Sequence, residues 1–202
     1  MKYTGPKAKL CRRLGVNLYG NEKYTKILSR HSEKPGMRKK GSFGKKSEYG
    51  GQLEEKQKAR IIFGISERQF HNYFDKAIKM PGDTGENLLR LLERRLDNVI
   101  YVAQFAVTRI QSRQMAGHGH FRVNGRRVTI PSTLVRPGDK IELLPRLKES
   151  PLFRDLGEQK DYAPKWLTVD LKKGTIEVLA MPEKDDLEKS IDSQRIVEYY
   201  SR

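Results

Sequence analysis

The sequence predicts an α+β fold, with helices in the first half of the chain and a small antiparallel sheet after them. Two observations indicate this fold. From residue 52 to residue 117, apolar side chains recur at spacings of three and four, as in helices that bury one face. From Phe121 the spacing changes to two, and the pair Asn124-Gly125 is typical of a tight turn between paired strands.

Residues 1–50 contain 14 basic and 3 acidic side chains, many Gly, Pro and Lys residues, and few aliphatic ones. This composition predicts a basic, partly irregular extension that a partner orders. The alternative is a free, disordered tail. Several larger side chains favour some local folding instead, namely Tyr3, Leu10, Leu14, Leu18 and Tyr19.

Residues 51–91 have the pattern of a helical domain. One helix is predicted from Leu53 to Phe63. Ser66 and Gln69 stand three residues apart, the spacing of a capping box, in which each side chain satisfies a backbone amide at the start of a helix. After a break at Pro81-Gly82, Thr84 is predicted to start the next helix.

Two helices are predicted between residues 84 and 117, and the first of them is the helix that Thr84 starts. Leu92, Leu96 and Ile100 belong to an apolar helical stripe. Thr108 is predicted to cap the second helix, where Arg109 and Arg113 are four residues apart and therefore point the same way. The alternative for these arginines is an ordinary solvated face.

Three turns divide the predicted strands. Asn124-Gly125 predicts a type I′ turn, because both positions of that turn need positive φ. A second turn is predicted at residues 137–139, and a third at Lys172–Gly174, between strands 166–170 and 175–179. The residues alone therefore predict two short helices against a small antiparallel sheet.

The whole chain is strongly basic. Its 202 residues include 41 Lys and Arg against 25 Asp and Glu, which gives a net charge of +16 and a pI near 9.9. A protein with this imbalance favours polyanions, of which nucleic acid is the commonest. Hydrophobic residues make up only 36% of the chain, so two modest cores are expected rather than one large core.

The sequence also bears on the compartment. The first residues lack the apolar segment of a secretory signal, and no run approaches the roughly 18 apolar residues of a membrane span. The single cysteine, Cys11, cannot form an internal disulfide and is typical of a reducing compartment. We therefore expect a cytoplasmic protein without a membrane partner.

No metal, cofactor or catalytic site is expected. Cys11 and His31 together supply two ligands, fewer than the four of a structural zinc site. His118 and His120, across one glycine, are more typical of RNA contacts or turn residues than of a metal site. The sequence has no phosphate-binding loop, HExxH motif or Ser/His/Asp set, which argues against an enzyme.

Residues 92–144 resemble the RNA-binding module that is named after small-subunit ribosomal protein four. The flanking segments are similar to their counterparts in that family and follow in the family's order, at Tyr3–Leu10, Arg12–Gly15, Ser47–Gly50, Gln52–Lys58, Glu67–Phe70, Gly82–Leu88 and Ile196–Arg202. Because the similarity extends over nearly the whole chain, the chain is identified as a bacterial-type member of this family.

The resemblance implies a helical N-terminal domain into which the RNA-binding domain, two helices packed on a five-stranded antiparallel sheet, is inserted. The expected division is an extension at 1–50, a helical domain at 51–91 that is completed by 183–202, and the RNA-binding domain at 92–182. The core motif of the RNA-binding domain is 92–144.

The resemblance also implies a structural role in the 30S ribosomal subunit, in the cytoplasm. Members bind the 5′ domain of 16S rRNA early, nucleate the body of the subunit, and affect translational accuracy beside ribosomal protein five, near the channel through which mRNA enters. Alternatives are a free-standing RNA-binding regulator or the accessory module of an RNA-modifying enzyme. The RNA-facing candidates carried over by position are Arg12, Arg13, Lys39, Lys40, Lys45, Lys46, Arg94, Arg95, Arg109, Arg113, Gln114, His118, His120, Arg122 and Arg126.

Overall fold

The computed structural model describes residues 3, 5–31, 33–36, 47–150, 153 and 163–202. The chain divides into two compact units, the first formed by residues 1–85 and 190–202 and the second by residues 86–189. Among the described residues, no helix is both long and apolar enough to cross a membrane.

The first unit is helical. Its helices are α1 (Lys7–Leu14), α2 (Glu22–Arg30), α3 (Glu48–Ile62), α4 (Glu67–Ile78) and, from the end of the chain, α8 (Ser193–Tyr200). Composition had indicated an irregular segment where α1 and α2 lie. Local signals explain both helices, because Gly15 ends α1 in the left-handed conformation at φ +70° and the Asn21 side chain caps α2.

Helix α8 packs on α3, and its residue Tyr200 also contacts α4. Its ring stacks on Phe74 at 4.5 Å between centroids, and its hydroxyl donates to Glu67 Oε1 over 2.9 Å. The same oxygen accepts from the ammonium of buried Lys56 at 2.7 Å. A polar cluster therefore joins residues from both ends of this unit's sequence.

The second unit combines helices with a sheet. Helix α5 (Thr84–Glu93) leads into it, and α6 (Leu96–Val102) and α7 (Arg109–Gly117) precede the strands β1 (Phe121–Val123), β2 (Arg126–Arg127), β3 (Lys140–Leu143), β4 (Leu167–Asp170) and β5 (Thr175–Val178). The strand order is β2-β1-β3-β5-β4 and every pair is antiparallel. The predicted α+β class, with its five-stranded antiparallel sheet, is confirmed.

The core of this unit lies between α6, α7 and one face of the sheet. Its buried side chains include Leu96, Ile100, Phe105, Phe121, Ile141, Trp166 and Ile176. The alternation along β1 and β3 follows from this arrangement, since every second residue faces the core.

Local signals set the hairpin turn and the start of α7. Asn124 and Gly125 have φ of +51° and +79°, as the predicted type I′ turn requires. Thr108 Oγ1 accepts from the Gln111 amide, so the predicted cap is present. The Gln111 side chain, however, accepts from the amide of Val107 rather than from that of Thr108, so only half of a capping box forms.

Candidate nucleic-acid interface

The β1–β2 hairpin exposes arginines. Arg122 lies opposite Arg127 in the register of β1 and β2, so these two residues are neighbours across the strands. Arg122, Arg126 and Arg127 are all exposed. Because the turn holds only two residues, the three arginines lie within a short, geometrically fixed element.

Arg127 fixes the hairpin to the end of α7. Its Nε donates to the Gly119 carbonyl over 3.0 Å, and its Nη2 donates to the His118 carbonyl over 2.8 Å. Gln114 and His118 are exposed, and His120 is half-buried. We use the term hairpin surface for the set Gln114, His118, His120, Arg122, Arg126 and Arg127.

The ionisation of His120 is shifted by its surroundings. Burial lowers the pKa of its imidazole below the usual range. The nearby His118, Arg127 and Arg146 lower the pKa further, because each disfavours another positive charge. The unbound site is therefore a region of concentrated positive charge.

Arg109 forms several contacts within the protein. Its Nη2 pairs with Glu188 Oε2 at 2.6 Å, and its Nε donates to Asn98 Oδ1 at 3.0 Å. Its guanidinium lies 4.5 Å from the centroid of the Tyr101 ring, a cation–π contact. Only 21% of the side chain is exposed. Arg109 therefore ties α7 to α6 and to the segment after β5.

Arg95 is not at the surface, so the prediction that it faces RNA is wrong. Its side chain is 0% exposed, and its Nη2 pairs with Asp97 Oδ2 at 2.7 Å. Asp97 also accepts from Arg113 at 3.2 Å. A buried arginine needs a carboxylate beside it, and here that carboxylate is two residues away. Arg113 is 32% exposed and shares this structural role.

Arg94 is half-buried. Its Nε donates to the Val135 carbonyl over 2.9 Å, which joins the end of α5 to the chain before β3. Burial lowers the pKa of Arg94, as does the neighbouring Arg136, while Asp139 opposes them. Part of the guanidinium therefore remains accessible beside a second basic residue.

The N-terminal candidates lie in the first unit. Arg13 is exposed on the last turn of α1. Arg12 donates through Nε and Nη2 to the Glu33 carbonyl, at 3.2 and 3.0 Å. Lys39, Lys40, Lys45 and Lys46 lie outside the described residues.

Sequence reasoning missed several exposed basic residues of the second unit, namely Arg127, Arg136, Lys140, Arg146 and Lys148. For Arg127 a signal was present, since it follows Arg126 in the return strand of the predicted hairpin. Arg146 had no local signal, because its charge reaches His120 only through the fold.

The position of the buried carboxyl group of Glu93 could not be predicted from the sequence. Glu93 is buried, and Asn98 donates to its carboxylate. Burial raises the pKa of Glu93 to about 7, although the charge of Arg109 opposes this. Within the described part of the chain, no group of three or more His, Cys, Asp or Glu side chains could hold a metal ion.

A small antiparallel sheet covered by two helices, with arginines exposed on its first hairpin, defines a nucleic-acid-binding module. Residues 2–93 match the family model described as Ribosomal protein S4/S9 N-terminal domain, and residues 94–141 match the S4 domain. The chain belongs to the uS4 family of small-subunit ribosomal proteins.

Relatives that align with this chain over nearly their whole length share one name. A protein of Pelotomaculum thermopropionicum named small ribosomal subunit protein uS4 is 49% identical over 207 aligned residues, which cover 100% of this chain and 99% of the relative. Proteins of the same name from Desulfitobacterium hafniense and Thermodesulfovibrio yellowstonii are 45% and 46% identical, with the same coverage.

Family membership confirms the resemblance seen in the sequence. It also confirms the expectation of a structural protein of the small ribosomal subunit rather than an enzyme. Fold and family thus agree on a ribosomal protein with an RNA-binding S4 domain.

Proposed function

We propose that this protein binds the 5′ domain of 16S rRNA as a primary binder and thereby nucleates the body of the 30S subunit. One observation carries the proposal. Arg122 and Arg126 are exposed, yet neither forms an ion pair with any residue that the structure describes. Their charges are therefore available to an external polyanion.

The hairpin surface suits folded RNA. An RNA helix presents phosphates and 2′-hydroxyls across a wide, shallow minor groove, while side chains cannot reach into its deep major groove. Short arginine-bearing strands can lie against such a surface, and each guanidinium can bind a phosphate in bidentate fashion. Gln114 and His118 add hydrogen-bonding groups beside these arginines.

Arg109 and Arg113 contribute differently from Arg122 and Arg126. Each already has a carboxylate partner, Glu188 for Arg109 and Asp97 for Arg113. An RNA phosphate would have to compete with these carboxylates. We therefore assign both arginines first to building the module and second to direct RNA contact, with Arg94 in a similar intermediate position.

We further propose roles in translational accuracy, beside ribosomal protein five and near the channel through which mRNA enters, on the ribosome in the cytoplasm. The family resemblance supports these roles, as does the concentration of basic residues in the N-terminal fifty. Arg12 and Arg13 are the described candidates there, and Lys39, Lys40, Lys45 and Lys46 are the others. Replacing the four lysines by alanine should raise misreading in a reporter assay, whereas unchanged misreading would contradict the role.

Filter binding of the full chain to the isolated 5′ domain tests the main proposal. Affinity should exceed that for the 3′ domain of the same rRNA at equal salt. If roughly 6–10 phosphates are contacted, affinity should fall by about three to five decades between 50 and 200 mM salt, taking duplex DNA as a guide. Equal affinity for both domains, or an affinity independent of salt, would contradict the proposal.

A further inference from the structure

The loop between α7 and β1 brings two histidines together around one glycine. Gly119 has φ +66°, and a Cβ at this position would lie 2.5 Å from Arg127 Nε. Only glycine therefore permits both the backbone conformation and the close approach of the guanidinium. The rings of His118 and His120 meet edge to face, with centroids 5.7 Å apart.

Among the described residues, every ionisable group that shifts the pKa of His120 is basic. His118 belongs to the same loop, Arg127 to β2, and Arg146 to the 3₁₀ turn Pro145–Leu147 after β3. Phe153 covers another side of the ring at 6.3 Å between centroids. None of the four basic side chains pairs with a carboxylate in the described ranges. Within the part of the chain that the structure describes, the cluster therefore has no counter-ion, in contrast to Arg95, Arg109 and Arg113.

The His120 ring also has an unused polar atom. Its Nδ1 is buried and has no hydrogen-bond partner among the described residues. Protonation places an N–H on both ring nitrogens, so the charged ring would bury a donor without an acceptor. This effect adds to the surrounding positive charge, and both disfavour the charged form of the ring while the site is empty.

We propose that His118, His120, Arg127 and Arg146 form a subsite for an RNA phosphate, and that filling this subsite takes up a proton on His120. The inference rests on the RNA-binding function proposed above. A phosphate supplies the missing counter-ion and offers acceptor oxygens to the ring and to the guanidinium groups. It thereby favours the charged imidazole, which the empty site disfavours.

Thermodynamic linkage between proton and RNA binding gives the direction in which RNA affinity changes with pH. The bound phosphate raises the pKa of His120 from its lowered value in the free protein. Between the free and the bound pKa, the complex holds more protons than the separate molecules. Affinity for RNA should therefore rise as pH falls through this window, by up to about tenfold per pH unit for one proton.

The test is filter binding of the full chain to the 5′ domain of 16S rRNA from pH 5.5 to 8.5, at constant ionic strength. Wild type should bind more tightly towards acid pH. His120→Gln should bind with a flat profile, and Trp166 fluorescence should show that it is folded. Arg146→Gln is a second variant, at an exposed position. It should lower affinity at every pH, because a phosphate contact is lost. It should also shift the pH-dependent window to higher pH, because His120 then has one fewer cationic neighbour.

Two controls test whether the titration of His71 or of Glu93 causes the slope. His71→Gln changes a histidine of α4, which pairs with Asp75, and Glu93→Gln removes the carboxyl whose pKa is about 7. Both variants should keep the wild-type slope. A flat wild-type profile, a slope that persists in His120→Gln, or a slope lost in either control would overturn the subsite. Absence of RNA binding at every pH would instead refute the proposed function.

Discussion

Arginine has two different uses in the second unit. Arg95 is buried against Asp97 and helps to hold α6 in place, whereas Arg122 and Arg126 are exposed and unpaired among the described residues. The difference depends on what the fold brings within reach. Arg109 shows this most clearly, because its carboxylate partner, Glu188, is 79 residues away in sequence.

At Arg95 the buried pair gives a stability prediction. Arg95→Met leaves the Asp97 carboxylate buried with only Arg113 beside it, so the free energy of unfolding should fall by about 3 kcal/mol. Urea unfolding followed by Trp166 fluorescence measures this, because Trp166 lies in the core of the same unit. The control Arg126→Ala should stay within about 0.5 kcal/mol of wild type. An equally small loss for Arg95→Met would contradict the assignment.

Glu93 gives a pH prediction. Burial raises its pKa to about 7 in the folded protein, above the ordinary value of 4.5, so the folded state binds the proton more tightly. The associated stability is complete below about pH 4.5 and is lost as pH rises through 7, with a slope of at most about 1.4 kcal/mol per pH unit.

Glu93→Gln should remove this slope and leave the variant more stable than wild type at pH 8. Urea midpoints at several pH values, again followed by Trp166 fluorescence, provide the comparison. A wild-type slope that persists in the variant would assign the titration to another group.

Structural elements that depend only on residues close together in the sequence could be predicted from it. Asn124-Gly125 was sufficient for the hairpin, and Ser66 with Gln69 was sufficient for the capping box, which the structure contains. The site was less predictable than the fold. No local pattern distinguishes an arginine that meets a distant carboxylate from one that stays free, which is why Arg95 was misplaced and Arg146 was missed.

The turn between β1 and β2 gives a prediction about the stability of the second unit. Gly125 has φ +79°, so Gly125→Ala should destabilise the second unit by about 1 kcal/mol and loosen the hairpin surface. Gly117→Ala is a matched control, because φ is not positive there and the new Cβ would meet only a Pro131 atom, at 3.9 Å. Urea unfolding should show a loss for Gly125→Ala and none for Gly117→Ala. Equal midpoints would mean that the turn does not constrain the hairpin.

Across the whole molecule, charge has two roles. Residues 1–50 carry most of the positive excess, and acidic side chains concentrate in residues 183–198. Several of these acids serve inside a unit, such as Glu188 with Arg109 and Glu198 with Gln52. Net charge therefore predicts the class of partner, while the pairing within each unit decides which cations remain available to it.

We expect the hairpin surface to recognise RNA by directed contacts rather than by charge alone. Two double variants of equal charge separate these possibilities, Arg122→Ala/Arg126→Ala and Lys172→Ala/Lys173→Ala. All four side chains are exposed and none belongs to the buried core, so both variants should fold.

The measurement is the affinity of each double variant for the 5′ domain of 16S rRNA, by filter binding at one salt concentration. The arginine double variant should lose about tenfold more affinity than the lysine double variant. Arginine can bind a phosphate through two parallel hydrogen bonds, whereas Lys172 and Lys173 lie outside the hairpin surface. Equal losses would contradict the account, since the protein would then bind RNA through general charge and the hairpin surface would not be its recognition face.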